Sequence, residues 1–443
     1  MQTEVLKMDA ADIAVETPTV RGLMVRSKWM HRLLTFLMVL GPGLIVMVAD
    51  NDAGAVSTYV QAGAQYGTRL LWVLLLLWPT TYFIQEMVIR LGIATGKGHA
   101  AMIYQRFGKW WGVFSLVDLE LVNFLTLVTE FAAIALAVGH LGISPYLGVP
   151  IAAVGLIIMV VTGSYLRWER TVVLLCALDL AWLWIAFKLR PGIGELAHNT
   201  LVPGIPHGGL TGDLMFLVIA IVGTTIAPWQ LFFQQSCIAD KKLRFSDINW
   251  ARLDTFLGAC VTITVAGCMM VAGAYAMGHG IHFEDPAQMA NAMQSITGEG
   301  IRVAILLLMI NAAVLGTTAI SLSSAWAYGE VQGWPHSLQL PFKEAKGFYF
   351  VYVACVALAA GLVLIPRAPL QLIILGVQVL AGIMLPSAII FLQLLLNDKE
   401  LLGEQYVNKT WNNWVNWTII IVLFALSLIL AAQVVAPNLF PSS

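Results

Sequence analysis

Gly41-Pro-Gly-Leu-Ile-Val-Met-Val-Ala-Asp-Asn-Asp-Ala-Gly-Ala-Val-Ser-Thr-Tyr-Val-Gln-Ala-Gly-Ala-Gln-Tyr-Gly67 begins as a membrane helix and breaks in its middle. There two carboxylates and an amide, Asp50, Asn51 and Asp52, stand beside the flexible pair Ala53-Gly54. A charge at membrane depth is costly, so such a residue faces a cavity and serves function. Unwound backbone is tolerated at that depth only where it lines a cavity. A second interrupted helix follows about half a chain later, Val222-Gly-Thr-Thr-Ile-Ala-Pro-Trp-Gln230. Pro228 removes one helical hydrogen bond and frees a carbonyl near Thr224. Two broken helices at corresponding places in two halves point to a transporter's binding site.

Composition sets the frame around these breaks. Of 443 residues, 59% are hydrophobic and 11% charged, where a soluble chain carries about 25% charged residues. The pattern is that of a polytopic helical membrane protein, without the alternation of a β-barrel. A formal net charge of −1 gives no electrostatic case for nucleic acid. The five cysteines, Cys176, Cys237, Cys260, Cys268 and Cys355, lie in or beside apolar segments without metal-site spacing, and read as small core residues. No cleavable signal peptide is visible, because the first ~35 residues are too polar to carry an apolar core.

Residues 1–34 read as a cytoplasmic tail ending in a basic surface helix with Arg21, Arg26, Lys28 and Arg32. Apolar stretches of roughly 17–25 residues then mark eleven spans. They fall near 35–65 (broken), 70–92, 114–141, 148–166, 169–190, 212–238 (broken), 252–277, 301–330, 347–365, 370–396 and 413–436. With the amino terminus inside, all but five of the 24 Lys and Arg fall on the cytoplasmic side; Arg69, Lys188, Arg190, Arg302 and Arg367 are the exceptions. That asymmetry is what the positive-inside rule expects. It puts the carboxyl terminus outside. Five spans per half force the second half to enter the membrane inverted. The organisation is a first repeat over 35–190, an extracellular loop over 191–211, a second repeat over 212–396, and a cytoplasmic loop with span eleven over 397–443.

Polar residues inside the spans divide into site candidates and structural glue. Asp52 is the strongest candidate, because the apolar core offers almost no Lys or Arg to neutralise it. Asp50 and Asn51 either cap the half-helix or line its vestibule. Glu130 lies mid-span in Leu125-Thr-Leu-Val-Thr-Glu130 and reads as cavity-lining or as part of a polar network, and Asp179 in span five reads as network. Gln378, beside Gly376 in span ten, is a ligand or interhelical glue. Glu86 and Arg90 form an i, i+4 structural pair. Trp229 directly follows the Pro228 break. The histidines, mainly in loops (His99, His198, His207, His279, His282, His336), form no metal cluster. No P-loop, nucleophile elbow or HExxH pattern is present, so nothing supports an enzyme.

These residues resemble a known family. Gly41-Pro-Gly43, the segment at Asp52, Val60-Gln-Ala-Gly-Ala-Gln-Tyr-Gly67 and Leu70-Leu-Trp72 are similar to the first helices of the NRAMP divalent-metal transporters. So are Gln85-Glu-Met87, Arg90-Leu-Gly92, Thr95-Gly-Lys-Gly98, Thr129-Glu130, and Gln378 with Leu385-Pro386. The resemblance implies an all-α LeuT-type fold, a 5+5 inverted repeat with eleven transmembrane helices and spans one and six broken. It implies a metal bound between the two breaks, by Asp52, Ala53, Ala55, Thr224, Ala227 and Gln378, with Asn51, Glu130, Trp229 and Gln230 lining the cavity. The metal is the transported substrate; no cofactor is implied. The partners are the divalent cation and the lipid bilayer, and the protein is expected as a monomer in a plasma membrane, a prokaryotic inner membrane.

The departures from the family pattern narrow the expectation. The signature Asp-Pro-Gly-Asn reads Asp52-Ala53-Gly54-Ala55 here, keeping the acid and losing the asparagine. The signature Ala-Thr-Val-Met-Pro-His reads Thr224-Thr225-Ile226-Ala227-Pro228-Trp229, so methionine becomes Ala227 and histidine Trp229. A second family histidine matches Gln234, and the proton-pathway aspartate position of span three is Leu127. Span nine has no basic residue between Lys346 and Arg367. This pattern resembles the divergent NRAMP-related magnesium transporters. The chemistry agrees: a thioether favours softer transition metals, while magnesium keeps several waters and takes few carboxylates. The resulting expectation is uptake of Mg2+, with Mn2+ also accepted, largely hydrated and without proton coupling. The alternatives are a proton-coupled Mn2+/Fe2+ importer and a cation-coupled amino-acid symporter of the same fold, against which Asp52 would repel the substrate's carboxylate.

Overall fold

A computed structural model describes residues 41–162, 164–206, 209, 211–365 and 369–435. The basic tail over 1–34, His207 and Arg367 lie outside the described residues. Among the described residues every regular element is a helix; nine helical stretches are long and apolar enough to cross a membrane, Pro145–Val161 is a shorter apolar helix, and the broken first span makes the eleventh segment. Span one is α1 (Pro42–Ala49) and α2 (Ala53–Tyr66). Span two is α3 (Leu71–Thr95), followed by the short α4 (His99–Phe107); span three is α5 (Lys109–His140) and span four α6 (Pro145–Val161). Span five is α7 (Tyr165–Leu178) with α8 (Ala181–Leu189), and the short α9 (Ile193–Leu201) follows. Span six is α10 (Gly212–Thr225) and α11 (Pro228–Lys241); span seven is α12 (Ile248–Gly278). After the short α13 (Pro286–Thr297) come spans eight, nine and ten: α14 (Glu299–Gln332), α15 (Lys346–Val363) and α16 (Leu370–Leu395). The short α17 (Lys399–Tyr406) precedes span eleven, α18 (Thr410–Val435).

The two breaks fall where proline, glycine and short polar residues interrupt the apolar runs. Span one unwinds over residues 50–52, and Asp52 starts α2 from an extended conformation. Span six opens at Ile226 and Ala227, with Pro228 as the first residue of α11. Proline suits that position because the first helical N–H groups have no partner in any case. Polar caps close other starts in the same way. Thr211 accepts from Leu214 N at 3.3 Å, and Asp285 accepts from Ala287 N and Gln288 N at 2.8 and 2.9 Å.

Span five is the expected continuous stretch, Tyr165–Leu189, tightened locally at Asp179-Leu180 where both residues keep helical φ and ψ. Two features depart from the linear reading. Span three starts at Lys109 rather than near 114, because Gly108 (φ +88) stops the helix and the exposed Trp110 and Trp111 are held on it, outside the apolar run. Four short helices, α4, α9, α13 and α17, occupy loops that carry too little apolar sequence to announce them.

The centre of the bundle is the two broken spans. Most of α1 and the whole of Pro228–Ile238 in α11 are buried, while spans four, nine and eleven turn large apolar residues such as Phe350, Leu358, Trp414 and Ile421 outward. The start of α1 is held by a residue more than 200 positions away. Asp254, on span seven, accepts from Gly43 N at 2.8 Å, Leu44 N at 3.1 Å and Gly41 N at 3.2 Å. These are the amide groups a helix leaves unpaired at its start. The Glu86–Arg90 pair is present at 2.9 Å and gains a third member, Arg252, at 2.6 Å. Cys176 and Cys237 are fully buried and the other three cysteines partly so.

Candidate metal site at the two broken helices

The break of span one creates a cluster of oxygen atoms inside the bundle. Asp52 accepts from Ala55 N at 2.8 Å through Oδ1, so its carboxylate caps α2 and points into the break. Glu130, on span three, reaches the same place: its Oε2 accepts from Ala53 N at 3.1 Å. The carboxyl groups of Asp52 and Glu130 thus converge on neighbouring amides of one turn. Gly316 on span eight permits this convergence, since a Cβ there would lie 2.8 Å from Asp52 Cβ and 2.8 Å from the Glu130 carboxyl carbon. Gly54 plays the matching part on the other side. A Cβ there would fall 1.7 Å from Gln378 Nε2 and 3.1 Å from Asp52 Oδ1. The Gln378 amide therefore lies directly on the first turn of α2.

Gln378 also joins the two breaks. Its backbone carbonyl would sit 2.1 Å from a Cβ at Gly223, the residue before Thr224 in the last turn of α10. Tyr59 of α2 ties the same turn to span one through a 2.7 Å hydrogen bond with Thr225. Pro228 has no N–H, so the Thr224 carbonyl is left without its helical donor. Several polar atoms around the breaks are buried without partners: Glu130 Oε1, Asn51 Oδ1, Asp50 Oδ2, Thr224 Oγ1 and Gln378 Nε2. Buried polar atoms are normally paired, so such a concentration calls for a polar occupant.

The remaining sequence-predicted residues take distinct places. Ala53 and Ala55 lend their amide groups to Glu130 and Asp52. Asn51 turns to span seven, donating to the Thr262 carbonyl at 3.3 Å. Asp50 accepts from the Gln230 amide, and Gln230 in turn accepts from Gln85 at 3.0 Å, which makes Gln230 a brace of the break. Ala227 starts α11 in an extended conformation. Trp229 is buried in the first turn of α11 with its ring edge-on to Phe233 at 6.1 Å. Gln234 donates to Thr255 at 2.9 Å. Asp179 lies apart from this cluster, accepting from Asn311 at 2.7 Å in the middle of span five.

Sequence reasoning missed Gly316 and Asp254. Nothing marks Gly316 among the 38 glycines, and Asp254 reads as the polar edge of an apolar run. The donors now gathered are carboxylate, amide, hydroxyl and carbonyl oxygens, with no sulfur or imidazole among the residues named. Among the described residues no three His, Cys, Asp or Glu side chains form a metal-holding group. Two carboxylates with neutral oxygens suit a hard cation that retains water. Asp52 and Glu130 are 3% and 0% exposed, so both carboxyl groups are buried within the bundle.

The comparisons with known proteins agree with this architecture. The sequence pattern of the Nramp family (natural resistance-associated macrophage protein-like) matches residues 43–433. A divalent metal cation transporter MntH of Staphylococcus aureus (strain bovine RF122 / ET3-1) is 27% identical over 424 residues, covering 90% of this chain and 91% of the relative. MntH of strain JH9 is similar to the same extent. A crystal structure of the Eremococcus coleocola manganese transporter, bound to an aromatic bis-isothiourea substituted compound, superposes with a TM-score of 0.73 at 21% identity. It covers 93% of this chain and 90% of that one. That likeness fixes the fold as the LeuT-type 5+5 arrangement with spans one and six broken.

Proposed function

The chain belongs to the Nramp family, and from that membership we propose that it carries divalent cations across the plasma membrane by alternating access, Mg2+ first and Mn2+ beside it. The observation that carries this reading is the donor set at the breaks. Asp52 and Glu130 bring two carboxyl groups to the unwound segment, where they accept from the Ala55 and Ala53 amides, and Asn51 Oδ1 and Thr224 Oγ1 are further buried oxygens without partners. Ala227 and Ala55 stand where relatives with softer sites hold methionine and asparagine, which favours a wide, hydrated, hard-ion site. The reading includes a monomer with its amino terminus in the cytoplasm and its carboxyl terminus outside. Two charges crossing gain about 4.6 kcal/mol per 100 mV, twice the single-charge value, so the membrane potential is a sufficient driving force.

The test is calorimetry on purified protein. Mg2+ binding should disappear in Asp52→Ala while the protein stays monodisperse; unchanged affinity would remove Asp52 from the site. Parallel uptake of Mg2+, Mn2+ and Ca2+ into proteoliposomes ranks the ions.

A second reading is proton-coupled Mn2+ or Fe2+ import. It is favoured by the convergence of Asp52 and Glu130 on one turn, since a second carboxyl group beside the ion is what an exchange of protons for a cation requires. Against it stand Leu127, Trp229 and Gln234 at the positions of the family's proton-handling residues, and the apolar run of α15. Intravesicular pH during metal influx separates the two. Metal-dependent acidification that is lost in Asp52→Ala selects the coupled reading, and a flat signal selects the uncoupled one.

A further inference from the structure

We infer that a cleft between the ends of spans two, seven and eleven, on the Lys- and Arg-rich side of the bundle, binds the phosphate headgroup of an anionic phospholipid. The cleft has a volume of about 460 Å3 and is lined by Glu86, Arg90, Arg252 and Lys409 with Phe83 and Trp411. Its charge is unbalanced. One carboxylate, Glu86, serves two guanidinium groups, Arg90 through Oε2 and Arg252 through Oε1. Arg90 directs its other donors to the Tyr406 carbonyl at 2.9 Å and Asn408 Oδ1 at 2.8 Å, so it is a fixed wall of the cleft. Arg252 holds Glu86 with Nε and Nη2, leaving Nη1 for a second acceptor, and its side chain is 36% exposed. Lys409 is exposed and adds a third positive charge.

The apolar side of the cleft suits acyl chains. Phe83 of α3 and Trp411 of α18 meet edge-on at 5.9 Å, and Trp411 is half exposed on the outer surface of the bundle. Interfacial aromatics at span ends occupy the headgroup level of a bilayer. A guanidinium and an ammonium beside such a ring match a phosphodiester carrying two lipid tails. The position has a structural consequence. Arg252 stands two residues before Asp254, whose carboxylate holds the start of α1. A bound headgroup would thus sit at the anchor of the broken helix.

The full-length protein in neutral detergent is titrated with phosphatidylglycerol, matched phosphatidylcholine and soluble glycerol 3-phosphate. Binding is read by thermal unfolding and by native mass spectrometry. Phosphatidylglycerol should raise the unfolding midpoint and remain bound, phosphatidylcholine should not, and glycerol 3-phosphate should bind far more weakly. Arg252→Gln with Lys409→Gln should weaken phosphatidylglycerol about 30-fold, from two basic contacts at about 1 kcal/mol each. Mg2+ binding by the same variant should be unchanged. Should the double variant fail to fold, Lys409→Gln alone should weaken the lipid about fivefold. Equal binding of the two lipids, or full phosphatidylglycerol affinity in the variants, would overturn the inference. Glycerol 3-phosphate binding as tightly as the lipid would overturn it too, in favour of a free-phosphate site.

Discussion

Gly316→Ala is the sharpest test of the site's geometry. The added methyl carbon would stand 2.8 Å from Asp52 Cβ and 2.8 Å from the Glu130 carboxyl carbon and Oε2. Carbon atoms rest at about 3.5–4.0 Å, so the three side chains must part by about 1 Å. Overpacking of this kind costs about 1–3 kcal/mol. Alanine returns about 0.5–1 kcal/mol over glycine inside a helix, so the net loss of stability is about 1 kcal/mol. The effect on the ion should be larger in proportion. Magnesium demands oxygen ligands at about 2.0–2.1 Å in near-octahedral geometry, and a carboxylate moved by 1 Å cannot stay among them. Calorimetry on the monodisperse variant should show at least a tenfold loss of Mg2+ affinity, about 1.4 kcal/mol or more. Gly361→Ala is the control, because a Cβ there meets nothing within 4 Å; its affinity should match the parent. Full affinity in Gly316→Ala would mean that the two carboxyl groups do not hold the ion together.

Two further outcomes are expected. Ala227→Met with Ala55→Asn should tilt relative affinity from magnesium toward manganese and cadmium, because a thioether restores soft character; calorimetry with the three ions checks it, and an unchanged ranking would show these positions to be off the ion. His99 predicts a pH dependence of stability from outside the spans, since α4 lies between spans two and three. Burial pushes its imidazole down to about 4. The unfolded chain takes up a proton near pH 6.5 that the folded protein refuses. Stability is therefore full above about 6.5 and falls as the pH drops toward 4, by up to about 3 kcal/mol. His99→Gln should flatten that part of the unfolding-temperature profile; a slope as steep as the parent's would assign it to other groups.

The sequence by itself determined the membrane class, the eleven spans and the two breaks in spans one and six. These are local properties. A run of apolar residues long enough to cross a bilayer, or a Pro228 or Ala53-Gly54 inside one, is written in consecutive positions. The candidacy of Asp52 is also local, because an acid in a broken helix at membrane depth has few other uses. The partner of Asp179 was not legible, since Asn311 reaches it from span eight across 132 residues. Tertiary structure alone decided what gathers around Asp52. Glu130 reaches Ala53 across 77 residues, and Asp254 reaches Gly43 across 211. Gln378 and Gly316 arrive from spans ten and eight through the absence of a Cβ at Gly54 and at Gly316 itself. Close approach between distant helices leaves no periodic mark in a sequence. It exists only once the spans pack, and there it sets the distance between the two carboxyl groups.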